Sequence, residues 1–266
     1  MISVALNGLS VLQFSNLSQY SELLHFSSTR NGGFSNANYS TLNLGLNSGD
    51  ERGNVLNNRK VISSALGISE ERLLFPKQTH TTNVKVIREN FLSATKENRR
   101  LYLLDIDAII TDLKGVCIAV KTADCVPVLL YDPKLKVVAA IHAGWKGTVH
   151  NIVLETIRKM VDEFGSTPSD LIAGIGPSIS PEVYEVGSDV YCLFDSEYYL
   201  PTNPVREGKK LLNLWKANHQ QLIHAGVPSD HIEIAAICTL SDSERFFSAR
   251  RDGVKTGRMG TGIMMK

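Results

Sequence analysis

The amino-acid sequence predicts a mixed fold in which β-strands outnumber long helices and do not alternate with them. Three segments rich in apolar or β-branched residues, 116–121, 126–131 and 137–141, follow one another closely and predict three consecutive strands. The connections between these segments are too short to hold a helix. A strictly alternating β-α-β chain is therefore disfavoured.

The second half of the chain predicts two helices and two further strands. Apolar residues recur at helical spacing over 153–164, and Gly165 supplies a stop. The short apolar run 171–175 predicts a strand, segment 211–224 an amphipathic helix, and run 231–238 a late strand. Together with the three central strands, these elements give more strands than long helices.

The bulk composition predicts a globular chain that folds as one domain over residues 1–266. No linker rich in Pro, Ser or charge divides the chain, and 43% of its residues are hydrophobic. The formal net charge of +1 gives no electrostatic reason to expect nucleic acid or an acidic membrane as a partner. No apolar run approaches the roughly 20 residues of a membrane-spanning helix. Small-molecule substrates fit this chain better.

The N-terminus and the cysteines favour a cytoplasmic location. The first Lys or Arg is Arg30, so the sequence lacks the basic start of a secretory signal. Four cysteines in a chain of this size do not make a disulfide framework. Cys117 and Cys238 lie in predicted apolar strands and are expected to be reduced, buried thiols, whereas Cys125 has polar neighbours.

Two histidines and one cysteine are candidate ligands of one metal ion. His80, Cys125 and His142 are too far apart for one helix face or a Cys-x-x-Cys knuckle, so each must come from its own element. Cys125 and His142 fall at the ends of predicted strands, where side chains can meet a cleft. Two imidazoles and one thiolate are a ligand set of catalytic zinc, which keeps its fourth position open. The alternative is that each is a packed core residue.

Eleven short motifs spread along the chain resemble those of one family. They are TRNGGFS at 29–35, LNLG at 42–45, GD at 49–50, NR at 58–59, QTH at 78–80, DA at 107–108, ADC at 123–125, HAGW at 142–145, GP at 176–177, FFSARRD at 246–252 and TGRM at 256–259. The sequence resembles the laccase-domain family, also called polyphenol oxidoreductases, which includes purine nucleoside phosphorylases and the cytosolic peptidoglycan editing factor. The match runs from about Thr29 to Met264.

The resemblance implies both a fold and a metal. The fold is α+β, with two packed mixed β-sheets flanked by helices, and is similar to the catalytic domain of a cysteine-dependent bacterial toxin. His80, Cys125 and His142 match the family's zinc ligands position by position. The resemblance therefore implies that these three residues bind zinc.

Gln78 and Asp124 flank the ligands and are candidate catalytic residues together with Cys125. Each could orient a ligand or the attacking water, although Asp124 could equally cap a turn. Asn47 lies in a run of Asn and Gly residues and is a candidate contact for the base or ribose of a purine nucleoside. The alternative for Asn47 is a turn whose residues take left-handed conformations.

Arg59 and Arg250 are candidate substrate-binding residues, because a guanidinium group binds phosphate through paired N–H donors. Their family motifs favour this role over that of an ordinary solvated charge. The segment 142–148 is a predicted strand-to-helix turn, where free backbone N–H groups favour an anion. A plain structural turn is the alternative there.

These features together predict a zinc-dependent enzyme whose partners are purine nucleosides and phosphate. The resemblance supplies the reactions: phosphorolysis of adenosine, inosine, guanosine and methylthioadenosine, and deamination of adenosine. The residues supply only the type of site, in which zinc activates water or stabilises a developing charge. The base-deaminase signature, His-x-Glu with Pro-Cys-x-x-Cys, is absent, so deamination here would be an independent solution.

Three other functions remain open from the sequence. A cysteine-dependent amide hydrolase that edits peptidoglycan precursors would use a Cys125–His142 dyad without metal. A copper-dependent polyphenol oxidase would add an axial methionine such as Met259, Met264 or Met265, but the chain lacks the paired His-x-His motifs of true laccases. A binding module without catalysis would not need an open metal site. The sequence does not predict an oligomeric state.

Overall fold

A computed structural model describes residues 1–201 and 207–266 of the chain. The strands in these residues are β1 (Ile2–Leu6), β2 (Leu9–Gln13), β3 (Leu23–Ser28), β4 (Leu73–Leu74), β5 (Val84–Ile87), β6 (Ala108–Thr111), β7 (Cys117–Thr122), β8 (Val126–Asp132), β9 (Val137–Ala143), β10 (Ile172–Ile175), β11 (Glu185–Val186), β12 (Lys210–Leu211), β13 (Ile232–Ile234) and β14 (Met259–Met265). The α-helices are α1 (Arg52–Leu66), α2 (Glu89–Ser93), α3 (Lys96–Tyr102), α4 (Trp145–Val149), α5 (Ile152–Phe164), α6 (Ser188–Tyr191), α7 (Leu214–His224) and α8 (Ala249–Asp252).

The strands form two six-stranded mixed sheets and one small ribbon. The first sheet has the order β1-β2-β3-β14-β7-β4 and is antiparallel except for the β4–β7 pair. The second has the order β13-β10-β8-β9-β6-β5, with parallel pairs at both edges, β10–β13 and β5–β6. Strands β11 and β12 pair separately. The centre of the second sheet is the β8–β9 hairpin, which follows from two apolar runs joined by a short turn.

The two sheets pack face to face around a shared apolar core. Ile118 and Ile263 from the first sheet and Leu129 and Ala140 from the second are fully buried in the same cluster. Side chains at every second position of a strand point to the same face. These positions therefore define the inner faces of the two sheets, and burial of their aliphatic surface drives the packing.

Helices cover the outer faces of both sheets. On the second sheet, Ile157 of α5 and Leu222 of α7 share a buried cluster with Ile141 of β9. On the first sheet, Ile62 of α1 packs in a cluster with Ala119 of β7. The resulting layers, helix, sheet, sheet and helix, confirm the expected α+β architecture of two packed mixed sheets flanked by helices. The likeness to a toxin catalytic domain is not tested by these contacts and stays a prediction.

The central elements predicted from the sequence are confirmed, with ends shifted by one or two residues. Runs 116–121, 126–131 and 137–141 correspond to β7, β8 and β9. The helical pattern over 153–164 is α5, which ends at Gly165 with a left-handed φ of 74°. In these segments the local apolar pattern and the buried layers agree.

The helix predicted over 211–224 is shorter than its apolar pattern indicates. Leu211 belongs to strand β12, and α7 begins only at Leu214. The side chain of Asn213 accepts the backbone N–H of Lys216 at 2.8 Å and so caps the helix start. The apolar residue at 211 thus packs from a strand rather than from the helix.

The late strand predicted over 231–238 is also too long. Strand β13 ends at Ile234, and Ala236 has a φ of 51°, outside the extended region. Cys238 therefore lies beyond the strand and is half-buried, whereas Cys117 is buried as predicted. All four cysteines carry free thiols. Among the described helices, none combines the length and apolarity needed to cross a membrane.

Candidate metal centre

Three side chains from three elements converge on one position. His80 lies in the loop after β4, Cys125 in the turn between β7 and β8, and His142 near the end of β9. Their ligand atoms all lie within 4.8 Å of one another, and Cys125 Sγ is 3.9 Å from His80 Nε2. The two imidazole rings have centroids 4.9 Å apart and planes at 73°. The structure therefore brings together the three residues that the sequence marks as candidate ligands.

Strand pairing places Cys125 beside His142. Pro127 faces His142 across the antiparallel β8–β9 ladder, so the turn before β8 comes next to the end of β9. Because this ladder lies at the buried centre of the second sheet, its register is fixed by apolar packing on both faces. Packing far from the ligands thus determines their separation.

Asp124 anchors the turn that carries Cys125. Its backbone has a φ of 87°, which is uncommon for a residue other than glycine. Its carboxylate accepts hydrogen bonds from Thr239 Oγ1 at 2.8 Å, Ser248 Oγ at 3.0 Å and the Arg250 backbone N–H at 2.7 Å. These bonds tie the C-terminal segment to the turn and hold its strained backbone in place.

Asp107 organises two of the three ligands. Its Oδ1 accepts a hydrogen bond from His142 Nδ1 at 2.7 Å, which leaves Nε2 of that ring for a metal. The carboxylate also accepts the backbone N–H groups of Thr79, His80 and Thr81, so it holds the loop that carries the first ligand. From the sequence, Asp107 is visible only as part of a motif. The signal that could identify its role is a carboxylate directly before the apolar strand β6.

Charges around the ligands favour the deprotonated thiol. Burial opposes ionisation of Cys125, but the imidazoles of His142 and His80 outweigh it and lower the thiol pKa to about 6. Burial also opposes ionisation of Asp107, whose pKa is nonetheless lowered to about 2, mainly by the hydrogen bond and charge of His142. Burial opposes protonation of His142, but the same thiolate and the Asp107 carboxylate outweigh it and raise the pKa of His142 to about 9. The two groups therefore pair as thiolate and imidazolium, and a divalent metal would have to displace the proton of His142.

Gly144 leaves room for the ligands. A Cβ atom at this position would lie 3.0 Å from His80 Cδ2 and 3.1 Å from Cys125 Sγ, closer than ordinary contacts. The φ of Gly144 is −69°, so space rather than backbone conformation requires a glycine here. The predicted strand-to-helix turn 142–148 is therefore packed directly against the ligands, and α4 begins at Trp145.

The three ligands line a cavity of about 360 Å³. This volume lies within the roughly 300–1,000 Å³ typical of small-molecule sites. His142 is buried, Cys125 half-buried and His80 exposed, so the ligand set is accessible from one side. Lys121 and Arg258 also line the cavity and give it positive charge, although the sequence did not mark either as a site residue.

Gln78 and Asn47 line the same cavity. The Gln78 amide donates to the Lys121 carbonyl at 2.7 Å, and its oxygen accepts from the Lys121 backbone N–H and Nζ, both at 2.9 Å. Gln78 thus positions Lys121, which is recognisable in the sequence as a lone cation in an apolar strand. Asn47 is exposed, and its side chain makes no hydrogen bond to any residue within 1–201 or 207–266.

Arg59 and Arg250 are not among the described residues that line this cavity. Arg59 donates from Nε and Nη2 to the Leu44 carbonyl at 3.1 and 2.8 Å. Arg250 donates from Nη1 to the Glu185 carbonyl at 2.7 Å and is otherwise exposed. The structure therefore brings neither guanidinium group to the metal position.

Comparison with known proteins places this site in a family. Residues 24–266 match the model of the family described as multi-copper polyphenol oxidoreductase laccase. The chain belongs to this family. The resemblance inferred from the eleven motifs is thereby confirmed. A relative named purine nucleoside phosphorylase, from Bacteroides thetaiotaomicron, is 44% identical over 259 residues, which cover 96% of each chain. A relative named adenosine deaminase RL5, from an unknown prokaryotic organism, is 37% identical and aligns with 91% of this chain and 93% of that protein.

Solved structures of family members share the fold along almost the whole chain. The hypothetical protein YfiH of Bacillus licheniformis superposes with a TM-score of 0.89 at 33% identity, covering 98% of both chains. YlmD from Geobacillus stearothermophilus superposes with a TM-score of 0.87 at 30% identity, covering 97% of this chain and 96% of that one. The two-sheet architecture of this chain is therefore that of its family.

Proposed function

We propose that the chain is a zinc-dependent enzyme that acts on purine nucleosides. The observation that carries this proposal is the convergence of two imidazoles and one thiolate on one position in the wall of a cavity. Three protein ligands leave a fourth tetrahedral position for water or substrate. The relatives named purine nucleoside phosphorylase and adenosine deaminase supply the substrate class.

The proposed reactions are phosphorolysis of adenosine, inosine, guanosine and methylthioadenosine, and deamination of adenosine. In phosphorolysis, a phosphate oxygen bonds to ribose C1′ as the C1′–N9 bond breaks, and the purine leaves with the electron pair and gains a proton. In deamination, water adds to purine C6 and ammonia leaves. Zinc held by His80, Cys125 and His142 would supply a Lewis acid for the oxygen nucleophile.

Residues around the ligands would hold them and the nucleoside in place. Asp107 fixes the orientation of the His142 ring through the 2.7 Å hydrogen bond to Nδ1. We assign Asp124 to positioning the turn of Cys125, because its carboxylate is occupied by three other hydrogen bonds. The exposed amide of Asn47 in the cavity wall has free donors and an acceptor for a base or ribose.

The two arginines proposed for phosphate differ in their surroundings. Arg59 lines a second cavity that shares Asn47 and Lys121 with the metal cavity. Gln78 accepts a hydrogen bond from the Lys121 ammonium, so we assign Gln78 a positioning role, as we did Asp124. Arg250 belongs to α8 and follows the cavity residue Ala249, but its guanidinium group is held by the Glu185 carbonyl and would have to leave it to contact a substrate. Of the two, Arg59 is the better supported phosphate ligand.

The donor set and its surroundings favour zinc over copper. A blue-copper site adds a weak axial ligand, usually methionine, to two histidines and a cysteine. Met259 Sδ accepts the Phe247 backbone N–H at 3.1 Å, and Met264 and Met265 lie in two different buried apolar clusters. These methionines are packed in the interior and do not line the metal cavity among its described residues.

Product analysis tests the proposal. The zinc-loaded protein is incubated with adenosine, with and without phosphate, and adenine, inosine and hypoxanthine are separated by chromatography. Adenine that forms only when phosphate is present would demonstrate phosphorolysis, and inosine formed in its absence would demonstrate deamination. If neither product forms above the rate of a His80→Ala, His142→Ala variant, the proposal is wrong.

A cysteine-dependent amide hydrolase is the second candidate, and one observation favours it. Asp107, His142 and Cys125 form a series in which a carboxylate orients an imidazole beside a thiol of lowered pKa. The same series occurs in enzymes whose cysteine attacks an amide carbonyl. A covalent adduct on Cys125 after incubation with a peptidoglycan precursor, detected by mass spectrometry, would establish this reading.

A further inference from the structure

A half-buried lysine without an acidic partner lines the metal cavity. Lys121 lies on strand β7, and its ammonium donates hydrogen bonds to the Pro76 carbonyl at 2.6 Å and to Gln78 Oε1 at 2.9 Å. An ammonium group has three N–H donors, so one remains. Because Lys121 belongs to the cavity wall, this third donor is available to a molecule bound in the cavity.

The charges around Lys121 weaken its hold on a proton. Arg59 of α1 and Arg258, which directly precedes β14, repel its positive charge. Asp107 attracts it, but the two oxygens of that carboxylate already accept hydrogen bonds from His142 and from the loop of the first ligand. Burial and then the charge of Arg59 lower the pKa of Lys121 well below its ordinary value. The ammonium therefore gives up its proton more readily than that of an ordinary lysine.

Cleavage of a purine nucleoside requires a proton donor. When the C1′–N9 bond breaks, its electron pair passes into the purine, and the resulting anion is a poor leaving group. A proton on N7 neutralises that charge, and N7 carries a lone pair in the ring plane while N9 is still bonded to ribose. A group in the cavity wall that can release a proton near neutral pH would therefore accelerate the reaction.

Few residues of the metal cavity can fill this role. Among the described residues that line it, the ionisable ones besides the three ligands are Lys77, Lys121 and Arg258. A guanidinium group does not release its proton in proteins, which excludes Arg258. Lys77 is exposed, whereas Lys121 lies against the Phe75 ring, 5.4 Å from its centre, and is held in place by two hydrogen bonds. Lys121 is the positioned proton donor of the two.

We propose that Lys121 is a catalytic residue that donates a proton to N7 of the departing purine. As the C1′–N9 bond breaks and a phosphate oxygen bonds to C1′, the free N–H of Lys121 transfers its proton to N7. The neutral amine then takes up, through solvent, the proton that monohydrogen phosphate releases on becoming a ribose ester. The inference rests on the proposed function, because it names the proton donor of that reaction.

Phosphorolysis of inosine and of 7-methylinosine by the zinc-loaded protein tests this role. A methyl group on N7 makes the bound base cationic, so the base leaves as a neutral purine and needs no proton. Lys121→Met should lower kcat/KM for inosine about 100-fold, as is typical when a general acid is lost. The value for 7-methylinosine should stay unchanged or rise. An equal loss for both substrates, or no loss for inosine, would overturn the inference.

Two further variants separate proton donation from structure and charge. Lys85→Met is the matched control, because Lys85 is also a half-buried strand lysine over an aromatic ring, that of Tyr102 at 4.7 Å, but it lines a different cavity. It should keep the wild-type kcat/KM for both substrates. Should Lys121→Met fail to fold, Lys121→Arg decides the same comparison, because arginine keeps the positive charge but does not release its proton.

Binding without turnover gives a second readout. Inosine and 7-deazainosine, which has a C–H group in place of N7, are titrated calorimetrically in phosphate-free buffer, where inosine is neither deaminated nor phosphorolysed. The wild type should bind inosine about tenfold more tightly, as expected for one hydrogen bond from a charged donor. Lys121→Met should bind the two nucleosides equally.

These measurements distinguish failure of the inference from failure of the proposed function. If the protein turns over no nucleoside, the proposed function is refuted and binding decides the inference. A preference for inosine that depends on Lys121 would then support the contact between Lys121 and N7, and equal binding by the wild type would overturn it.

Discussion

Asp107→Asn should weaken zinc binding more than any other isosteric change outside the three ligands themselves. The carboxylate receives five donors: the His142 ring, three backbone N–H groups and the Thr81 hydroxyl. Donors approach both oxygens, so an asparagine NH₂ group would face at least two of them whichever way it is turned. Loss of a residue that orients a ligand typically costs 10–100-fold in metal affinity. We expect about 100-fold here, or roughly 3 kcal/mol.

Competition with a chromophoric zinc chelator measures this affinity directly. Asp105→Asn is the control, because Asp105 is two residues away and exposed, and its left-handed φ of 54° is one that asparagine tolerates well. The control should keep the wild-type affinity. If Asp107→Asn binds zinc as tightly as this control, the carboxylate does not organise the ligands and the reasoning is refuted.

Two further predictions concern space and protonation. Gly144→Ala places a methyl group 3.0 Å from the His80 ring and should lower zinc affinity about tenfold in the same competition assay. An unchanged affinity would show that the loop carrying His80 moves away from the methyl group without cost to zinc binding. His25 is buried and accepts the Phe14 N–H at 2.8 Å, and burial lowers its pKa to about 4. Its unfolded pKa is about 6.5, so the unfolding free energy should fall as the pH drops from 6.5 towards 4, by about 2 kcal/mol between pH 7 and pH 5. Denaturant titrations at the two pH values measure this fall in unfolding free energy. The His25→Gln variant has no imidazole to titrate, so its unfolding free energy should fall less. An equal fall in the wild type and the variant would contradict the attribution of the pH dependence to His25.

The sequence identifies the elements whose local pattern and tertiary packing agree. Strands β7, β8 and β9 are apolar on both faces because one sheet packs on another and helices cover the outside, so each is a continuous apolar run. Pairings between distant segments leave no such local signal. Strand β14 lies between β3 and β7 in the first sheet, and nothing in its sequence indicates those neighbours.

For the site, the sequence identified the residue types that can bind a metal, but it did not identify the direction in which each side chain points. The ligand set of His80, Cys125 and His142 is marked by chemistry that few other residues offer. The surroundings of Arg59 depend on tertiary contacts, here the Leu44 carbonyl, that no local pattern encodes. Lys121 was not predicted as a site residue, because a single lysine in a strand usually carries a solvated charge. Only the tertiary fold places Lys121 in the walls of two cavities.

Dependence of adenosine turnover on zinc tests the central claim most directly. Activity should disappear on thorough chelation and return when zinc is added, and Cys125→Ser, with a poor zinc ligand in place of a thiolate, should lose both zinc and activity. Elemental analysis of the wild type should find about one zinc per chain, as expected for a single site. Activity that survives chelation, together with a substrate-derived adduct on Cys125 by mass spectrometry, would contradict the zinc mechanism and favour the cysteine hydrolase.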